Sequence, residues 1–302
     1  MSSFLFENQL LKIIVLCSLW FFITTVNANS NETGLIKVRD DAGRLLVLAK
    51  PAQRVISLSP HVTELIYAVG GGDKIIAAVD FSNYPEEAKA LPRVGSGYQL
   101  DIEAIVGMKP DLIIAWRSGN SREQLDRLES MGFTVYYSEP EVLTDIAKNI
   151  RGIGKLLGSQ SMADEKADEF MLGIEQLKKK YKHTKKVTVF YQVWNQPIFT
   201  INRQHVISHI LELCGGENIF KELRVISPQV DIESVIKRNP SVIIAGVGEG
   251  RADWLSEWSR WPNIDAVKNQ QVYGINADLI VRHTPRILQG ATQICELLEK
   301  SR

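Results

Sequence analysis

Two short runs of the sequence carry acidic residues at matching positions. Residues 101–116 read DIEAIVGMKPDLIIAW and residues 231–246 read DIESVIKRNPSVIIAG, so seven residues recur at identical offsets. In each run an Asp can cap a short helix that carries an acid, Glu103 or Glu233, in its first turn. Such a carboxylate either stabilises the helix dipole or offers its charge to a binding partner.

Residue types that serve in catalysis are present, but they lack the arrangements that enzymes use. Ser57, Ser59 and His61 lie close together, yet no G-x-S-x-G turn surrounds either serine. His205 and His209 are spaced i, i+4, without the intervening Glu and the third ligand of a zinc protease. We therefore predict no catalytic residue and no metal site.

The rest of each run predicts a helix that ends at a proline and a buried strand after it. Pro110 and Pro240 end the helices, because the residue before a proline avoids the helical conformation. The apolar, branched residues 112–115 and 242–245 suit a strand covered on both faces. One such unit in each half predicts two similar lobes, and the alternation of strands and helices predicts an α/β fold with mainly parallel, helix-flanked sheets.

A long helix is predicted between the two lobes. Apolar residues keep helical spacing from Gln160 to Lys182, which gives a rod of more than about 30 Å. We predict an amino-terminal lobe over 29–158, a connecting helix over 159–184 and a carboxy-terminal lobe over 185–302. Because a helical connection resists opening, we expect little hinge motion and a ligand cleft between the lobes.

The amino terminus and the composition indicate an exported protein. A basic residue, an apolar stretch and small residues, in that order, predict a signal peptide over residues 1–28, cleaved near Ala28/Asn29. With 35 basic and 35 acidic residues, the chain has no charge excess that points to nucleic acid or an anionic membrane. Beyond this leader two cysteines remain, Cys214 and Cys295; we favour one disulfide over two buried thiols.

Aromatic residues recur in the loops that follow the predicted strands. The loops expected to line the cleft are 60–61, 81–84, 95–98, 116–120, 194–199, 225–228, 246–251 and 278–282. Their aromatic residues include Phe81, Tyr84, Tyr98, Trp116, Trp194 and Phe199. Broad apolar faces suit a large, flat ligand, although each of these residues alone fits a core position as well.

Several motifs resemble a known family, the helical-backbone substrate-binding proteins of ABC importers, which capture cobalamin, haem or ferric siderophores. The motifs are RVISLSPHVTELIYAVG (54–70), KPDLIIAW (109–116), LCGGENIF (213–220) and RVISPQV (224–230). The similarity covers about residues 36–300, and the chain most resembles the members that bind cobalamin. The resemblance implies a periplasmic monomer that binds a corrinoid and uses no cofactor of its own.

Individual roles follow from the same resemblance, position by position. It assigns corrinoid contacts to Phe81, Trp116, Phe199, Asp278 and Arg282, and the neighbouring His61, Tyr84 and Tyr98 complete the predicted ligand set. It implies that the disulfide joins Cys214 to Cys295. It also implies that Glu103 and Glu233 meet arginines on the two permease subunits of an inner-membrane importer with its ATPase subunits. A pseudo-twofold protein would thus dock on a twofold permease.

Departures from the cobalamin-binding members leave alternatives open. Gly97 and Ser227 stand where those members carry Trp, and Leu279 replaces an aromatic residue. His61 stands where they have a small residue, and it is a candidate to approach a metal centre. Haem or a ferric siderophore, with Tyr84 or His61 reaching iron, is the alternative within the family. An exported hydrolase is the alternative from another class.

Overall fold

The computed structural model describes residues 34–248 and 253–302. The predicted signal peptide and its cleavage site near Ala28 lie outside the described residues. An antiparallel hairpin opens the described chain, formed by β1 (Ile36–Arg39) and β2 (Leu45–Leu48). No helix in these two ranges is long and apolar enough to cross a membrane.

A parallel four-stranded sheet forms the core of the amino-terminal lobe. Its strands lie in the order β4-β3-β5-β6. They are β3 (Val55–Ser57), β4 (Ile75–Ala78), β5 (Leu112–Trp116) and β6 (Val135–Ser138). The accompanying helices are α1 (Pro60–Ala68), α2 (Ile102–Met108), α3 (Arg122–Ser130) and α4 (Leu143–Leu157), with 3₁₀ turns at Gly72–Lys74 and Glu86–Ala90.

A second parallel four-stranded sheet forms the core of the carboxy-terminal lobe, in the order β10-β9-β7-β8. Its strands are β7 (Val187–Gln192), β8 (Gly216–Asn218), β9 (Val242–Val247) and β10 (Val272–Asn276). After α5, the helix between the lobes (Gln160–Tyr181), the helices are α6 (Val206–Leu213), α7 (Ile232–Arg238), α8 (Asp253–Ser256), α9 (Asp265–Lys268), α10 (Asp278–Val281) and α11 (Ile287–Lys300), with a 3₁₀ turn at Glu257–Arg260.

The two sheets have the same topology. In each four-stranded sheet, the strand that comes first in the chain pairs with the second on one side and with the third on the other, and the fourth lies at an edge. The third strands, β5 and β9, are those of the duplicated runs, so each run occupies the equivalent place in its own lobe. The predicted fold class is therefore confirmed, whereas the predicted domain boundaries stay predictions.

The helices of the duplicated runs begin and end alike. The side chains of Asp101 and Asp231 accept hydrogen bonds from backbone N–H groups three residues later, at 2.9 and 2.6 Å. Both helices end at a left-handed residue just before the proline: Lys109 has φ of 48° and Asn239 has φ of 42°. The residue before each proline thus leaves the helical conformation, which is the effect that proline was expected to have.

The connecting helix α5 has 22 residues, a length of about 33 Å. It packs against α4 on the amino-terminal side and against α6 and α11 on the carboxy-terminal side. Its buried face includes Phe170, Ile174 and Tyr181. The helix is therefore part of the hydrophobic core of both lobes.

A disulfide joins Cys214, at the end of α6, to Cys295 in α11, as expected. Both cysteines are fully buried, and their Cα atoms lie 4.7 Å apart. Two neighbouring elements were not predicted. The strand β8 begins at Gly216, where only a helix stop was expected, and the short helix α10 occupies a predicted loop.

Candidate functional site

Loops that follow strands of both lobes line one cleft. A cavity of about 1070 Å³ lies there, at the upper end of the range for small-molecule pockets. The amino-terminal lobe contributes Trp116, Arg117, Ser118 and Glu139 to its lining, and the carboxy-terminal lobe contributes His205, His209, Ser227 and His283. Because parallel strands end at the same sheet edge, the chain brings these separate loops together.

Trp116 is fixed at the end of β5 by its own loop. Its indole Nε1 donates a hydrogen bond to Glu139 Oε1 at 3.1 Å. Glu139 also accepts hydrogen bonds from Ser118, at 2.6 Å from the backbone N and 2.8 Å from Oγ. A Cβ atom at Gly119 would lie 1.9 Å from the indole ring, so only glycine lets the loop pass so close. The ring is therefore held in one orientation at the cleft wall.

Asn120 ties three cleft loops together. Its Oδ1 accepts a hydrogen bond from the backbone N of Trp116, and its Nδ2 donates to the carbonyl oxygens of Leu58 and Gly97, each at 2.8 Å. The loop that carries Tyr98 is thereby joined to the Trp116 loop and to the end of β3. Tyr98 itself is 78% exposed.

His61 lies behind Trp116 and is buried. Its Nδ1 and Nε2 pair with the hydroxyls of Ser59 and Ser138 at 2.7 and 3.2 Å. Its ring meets those of Trp116 and His283 edge to face, with centroids 5.5 and 6.2 Å apart. Burial lowers the pKa of His61 to about 3, so the imidazole is neutral at pH 7. Both ring nitrogens are already engaged, which counts against the predicted approach to a metal.

Two histidines of the carboxy-terminal wall share this neutral state. Burial, with smaller effects from the charges of His283 and His209, lowers the pKa of His205 to about 4. Burial alone lowers the pKa of His283 to about 4. His205 also caps α6, because its Nδ1 accepts a hydrogen bond from the backbone N of Ile207 at 3.2 Å. The side chains of His205 and His283 are therefore polar but uncharged at neutral pH.

A buried ion network joins the two lobes beside the cleft. Glu64 of α1 accepts hydrogen bonds from Arg282 Nη1, Thr284 Oγ1 and Arg286 Nη1, each at 2.9 Å. Burial raises the pKa of Glu64, and the hydrogen bonds and charges of the arginines and Thr284 oppose that rise. One carboxylate of the amino-terminal lobe is thus balanced by two guanidinium groups of the other.

Other predicted contact residues belong to the surroundings of this network. Arg282 pairs with Asp278 at 3.0 Å, and its Nη2 donates to the carbonyl oxygen of Phe81 at 3.3 Å. The Phe81 side chain is 78% exposed. The guanidinium carbon of Arg286 lies 3.7 Å from the centroid of the Tyr84 ring. The structure therefore gives Arg282 a role between the lobes, and its contact with a ligand stays a prediction.

Phe199 lies in the other predicted aromatic loop. Its backbone bridges those of Trp194 and Gln229, and its side chain is half-buried. Of the eight predicted ligand contacts, Trp116 lines the described part of the cavity, His61 touches two cleft rings, and the others lie outside that lining. Residues 249–251 of a predicted cleft loop lie outside the described residues. The ligand set as a whole stays a prediction.

The two predicted docking acids occupy equivalent surface positions. Glu103 lies in the first turn of α2 and Glu233 in the first turn of α7, and both are exposed. Within residues 34–248 and 253–302, no group of three or more His, Cys, Asp or Glu residues is arranged to hold a metal ion.

Four residues that organise the site escaped the sequence analysis. Glu139 directly follows the observed strand β6. Asn120 ends a predicted cleft loop, so its position carried a usable signal. Glu64 and His283 did not stand out, because their partners lie in the other lobe. A long-range ion pair leaves no local pattern in a single sequence.

Comparisons with known proteins give matches that span both lobes. Residues 55–279 match the model of the periplasmic binding protein family. A vitamin B12-binding protein of Vibrio campbellii is 41% identical over 253 residues, which cover 83% of this chain and 91% of that protein. The crystal structure of the periplasmic vitamin B12 binding protein BtuF of Vibrio cholerae aligns with a TM-score of 0.76 and 38% identity, over 83% of this chain and 98% of that one. The periplasmic heme binding protein HutB of Vibrio cholerae, at 22% identity, shares the fold with a TM-score of 0.72, over 82% of this chain and 98% of that one.

We expect the Glu64 network to contribute strongly to stability. Glu64→Gln removes the negative charge, leaves Arg282 with Asp278 alone and deprives half-buried Arg286 of its carboxylate partner, which should lower the free energy of unfolding by about 3 kcal/mol. Urea unfolding followed by tryptophan fluorescence measures this loss. Glu165→Gln, at an exposed position of α5, should change it by less than about 0.5 kcal/mol. A loss for Glu64→Gln below about 1 kcal/mol would contradict the role assigned to the network.

Burial of neutral His61 should make stability depend on pH. The folded protein binds a proton at His61 only near pH 3, whereas the unfolded chain binds one near pH 6.5. The contribution of neutral His61 to the free energy of unfolding is therefore fully present above pH 6.5 and decreases as the pH falls below that value. Between pH 7.5 and 5 this residue should account for a loss of about 2 kcal/mol. Unfolding of His61→Gln at both pH values should show a correspondingly smaller loss. His183→Gln, an exposed histidine, should behave like the parent, and equal pH dependence in all three proteins would refute the assignment.

Proposed function

The chain belongs to the periplasmic binding protein family, and from that premise we propose that it captures cobalamin or a related corrinoid and delivers it to an ABC importer of the inner membrane. The observation that carries this proposal is the 41% identity to a vitamin B12-binding protein over 83% of the chain. The family match, over residues 55–279, includes residues of both lobes. The proposed activity is binding and release, without a chemical reaction.

The cleft offers a large flat molecule several kinds of contact. The oriented indole of Trp116 gives a broad apolar face, which favours stacking against a macrocycle. The proposed contact set also includes Phe81, Tyr84, Tyr98, Phe199, Asp278, Arg282 and His61, and amide side chains of a corrinoid would find hydrogen-bond partners among its polar members. Because α5 and the Glu64 network hold the lobes in place, little ordering is required on binding, and this supports high affinity.

Delivery would use the outer surface, at the side of the duplicated helices. Glu103 and Glu233 are exposed at equivalent positions of two lobes with the same topology. A permease made of two equal subunits presents the same basic surface twice, and one acid for each subunit would match it. We propose that this pair docks the loaded protein on the permease.

The capture proposal is tested by titration with three ligands. The purified mature protein should bind cyanocobalamin with submicromolar affinity and show weaker binding of haemin and of a ferric siderophore, by visible spectra and calorimetry. Trp116→Ala removes the stacking face and should weaken cobalamin binding by about tenfold, whereas Trp116→Phe should retain most of the affinity. Tight haemin binding without any cobalamin binding would replace the proposal with its haem alternative. Turnover of an ester substrate that His61→Ala abolishes would favour the hydrolase.

The docking proposal is tested by separating uptake from binding. The double variant Glu103→Ala/Glu233→Ala should lose cobalamin uptake through the importer, while its dissociation constant for cobalamin equals that of the parent. Glu165→Ala/Glu296→Ala removes two acids that are also exposed but lie outside the duplicated helices, and this control should transport normally. Uptake at the parental rate by the first double variant would refute the docking role.

A further inference from the structure

The histidines of this chain are concentrated at the cleft. The sequence has five. His205, His209 and His283 line the cavity, and His61 meets His283 ring to ring. The fifth, His183, is exposed just beyond the end of α5. The three that line the cavity come from the carboxy-terminal lobe, which places three imidazoles on the wall that faces Trp116.

Two of the cleft rings have no hydrogen-bond partner for their ring nitrogens among residues 34–248 and 253–302. Both nitrogens of His61 pair with serine hydroxyls, and Nδ1 of His205 caps its helix. In contrast, neither His209 nor His283 forms a side-chain hydrogen bond with any residue in the described part of the chain, although both line the cavity. A polar nitrogen at a cavity wall without a protein partner is available to a bound molecule.

The unpaired imidazole nitrogens suit a ligand that contains a transition metal. Imidazole nitrogen is a common donor to transition metals. A bare metal ion would need several protein donors, and the described residues contain no group of three or more that is so arranged. A metal that arrives inside a flat macrocycle brings its in-plane ligands with it, and therefore needs a single axial donor from the protein. One free imidazole on a cleft wall is enough for such a ligand.

We propose that His209 and His283 form an axial coordination site for the metal of the bound macrocycle, and this inference rests on the proposed capture of a corrinoid. One of the two rings donates a nitrogen lone pair to cobalt, the bond between cobalt and its water ligand breaks, and the water leaves. No electron is transferred, and the cobalt keeps its oxidation state. A corrinoid with an exchangeable axial water is thus favoured over one whose axial ligand is firmly bound.

The experiment compares aquocobalamin, whose water exchanges, with cyanocobalamin, whose cyanide does not. With the parent protein, aquocobalamin should take on the visible spectrum of its complex with free imidazole, recorded as the reference, and bind about tenfold or more tightly than cyanocobalamin. The cyanocobalamin spectrum should lack this shift. In His209→Gln/His283→Gln the shift should disappear and the ratio of the two dissociation constants should fall to about one. The single variants identify which ring donates.

Controls separate this inference from the function on which it rests. His183→Gln keeps all cleft histidines and should retain the spectral shift, and far-ultraviolet circular dichroism verifies the fold of each variant. Aquocobalamin that binds to the parent with an unshifted spectrum would overturn the coordination site and leave corrinoid capture intact. A shift that persists in the folded double variant would overturn it as well. Binding of neither corrinoid would refute capture itself, and the coordination site with it.

Discussion

The arrangement of the two lobes depends on a carboxylate that is buried between them. Glu64 is 3% exposed and contacts Arg282, Thr284 and Arg286 of the opposite lobe. Removing a carboxylate from water is costly, and the raised pKa of Glu64 reflects that cost. The hydrogen bonds and the two positive charges offset it only when the lobes are in register. Helix α5 fixes the distance between the lobes at one side, and the network fixes it beside the cleft.

This constraint shapes what the cleft can do. Arg282 holds Glu64, Asp278 and the backbone of the Phe81 loop at the same time, so the guanidinium is oriented before any ligand arrives. On the other wall, Glu139 and Gly119 orient Trp116 in a comparable way. Contacts that are already ordered lose little entropy on binding. Affinity for a ligand then comes mainly from the fixed width of the cleft, and closure of the lobes around the ligand contributes less to it.

The extent to which the sequence predicted the structure follows from the range of the interactions involved. The Asp caps and the proline ends of the duplicated runs depend on local interactions. The apolar residues 112–115 and 242–245 indicate buried strands, so the two sheets were predictable, and the helical spacing of apolar residues made the long helix predictable as well. The disulfide was expected because two cysteines remained beyond the leader. Strand β8 has three residues and, within the described ranges, pairs only with β7. So short a strand is recognised from its pairing partner and not from its own sequence. The contacts of Glu64 and Asn120 join segments that are far apart in the chain, and a single sequence does not show which segments meet.

The two halves agree on their outer surface and differ at the cleft. The Asp caps, the left-handed helix ends and the exposed acids of the duplicated runs correspond in the two lobes. In the cleft, in contrast, the amino-terminal wall carries Trp116 and several charged side chains, and the facing wall carries His205, His209 and His283. A partner with twofold symmetry requires equal contacts from both lobes, and any difference there would weaken one of them. A ligand between the lobes presents a different face or edge to each lobe, so walls of different composition can each bind it more tightly. Exposed acids at equivalent positions suit a symmetric partner, and cleft walls of different composition suit an asymmetric ligand.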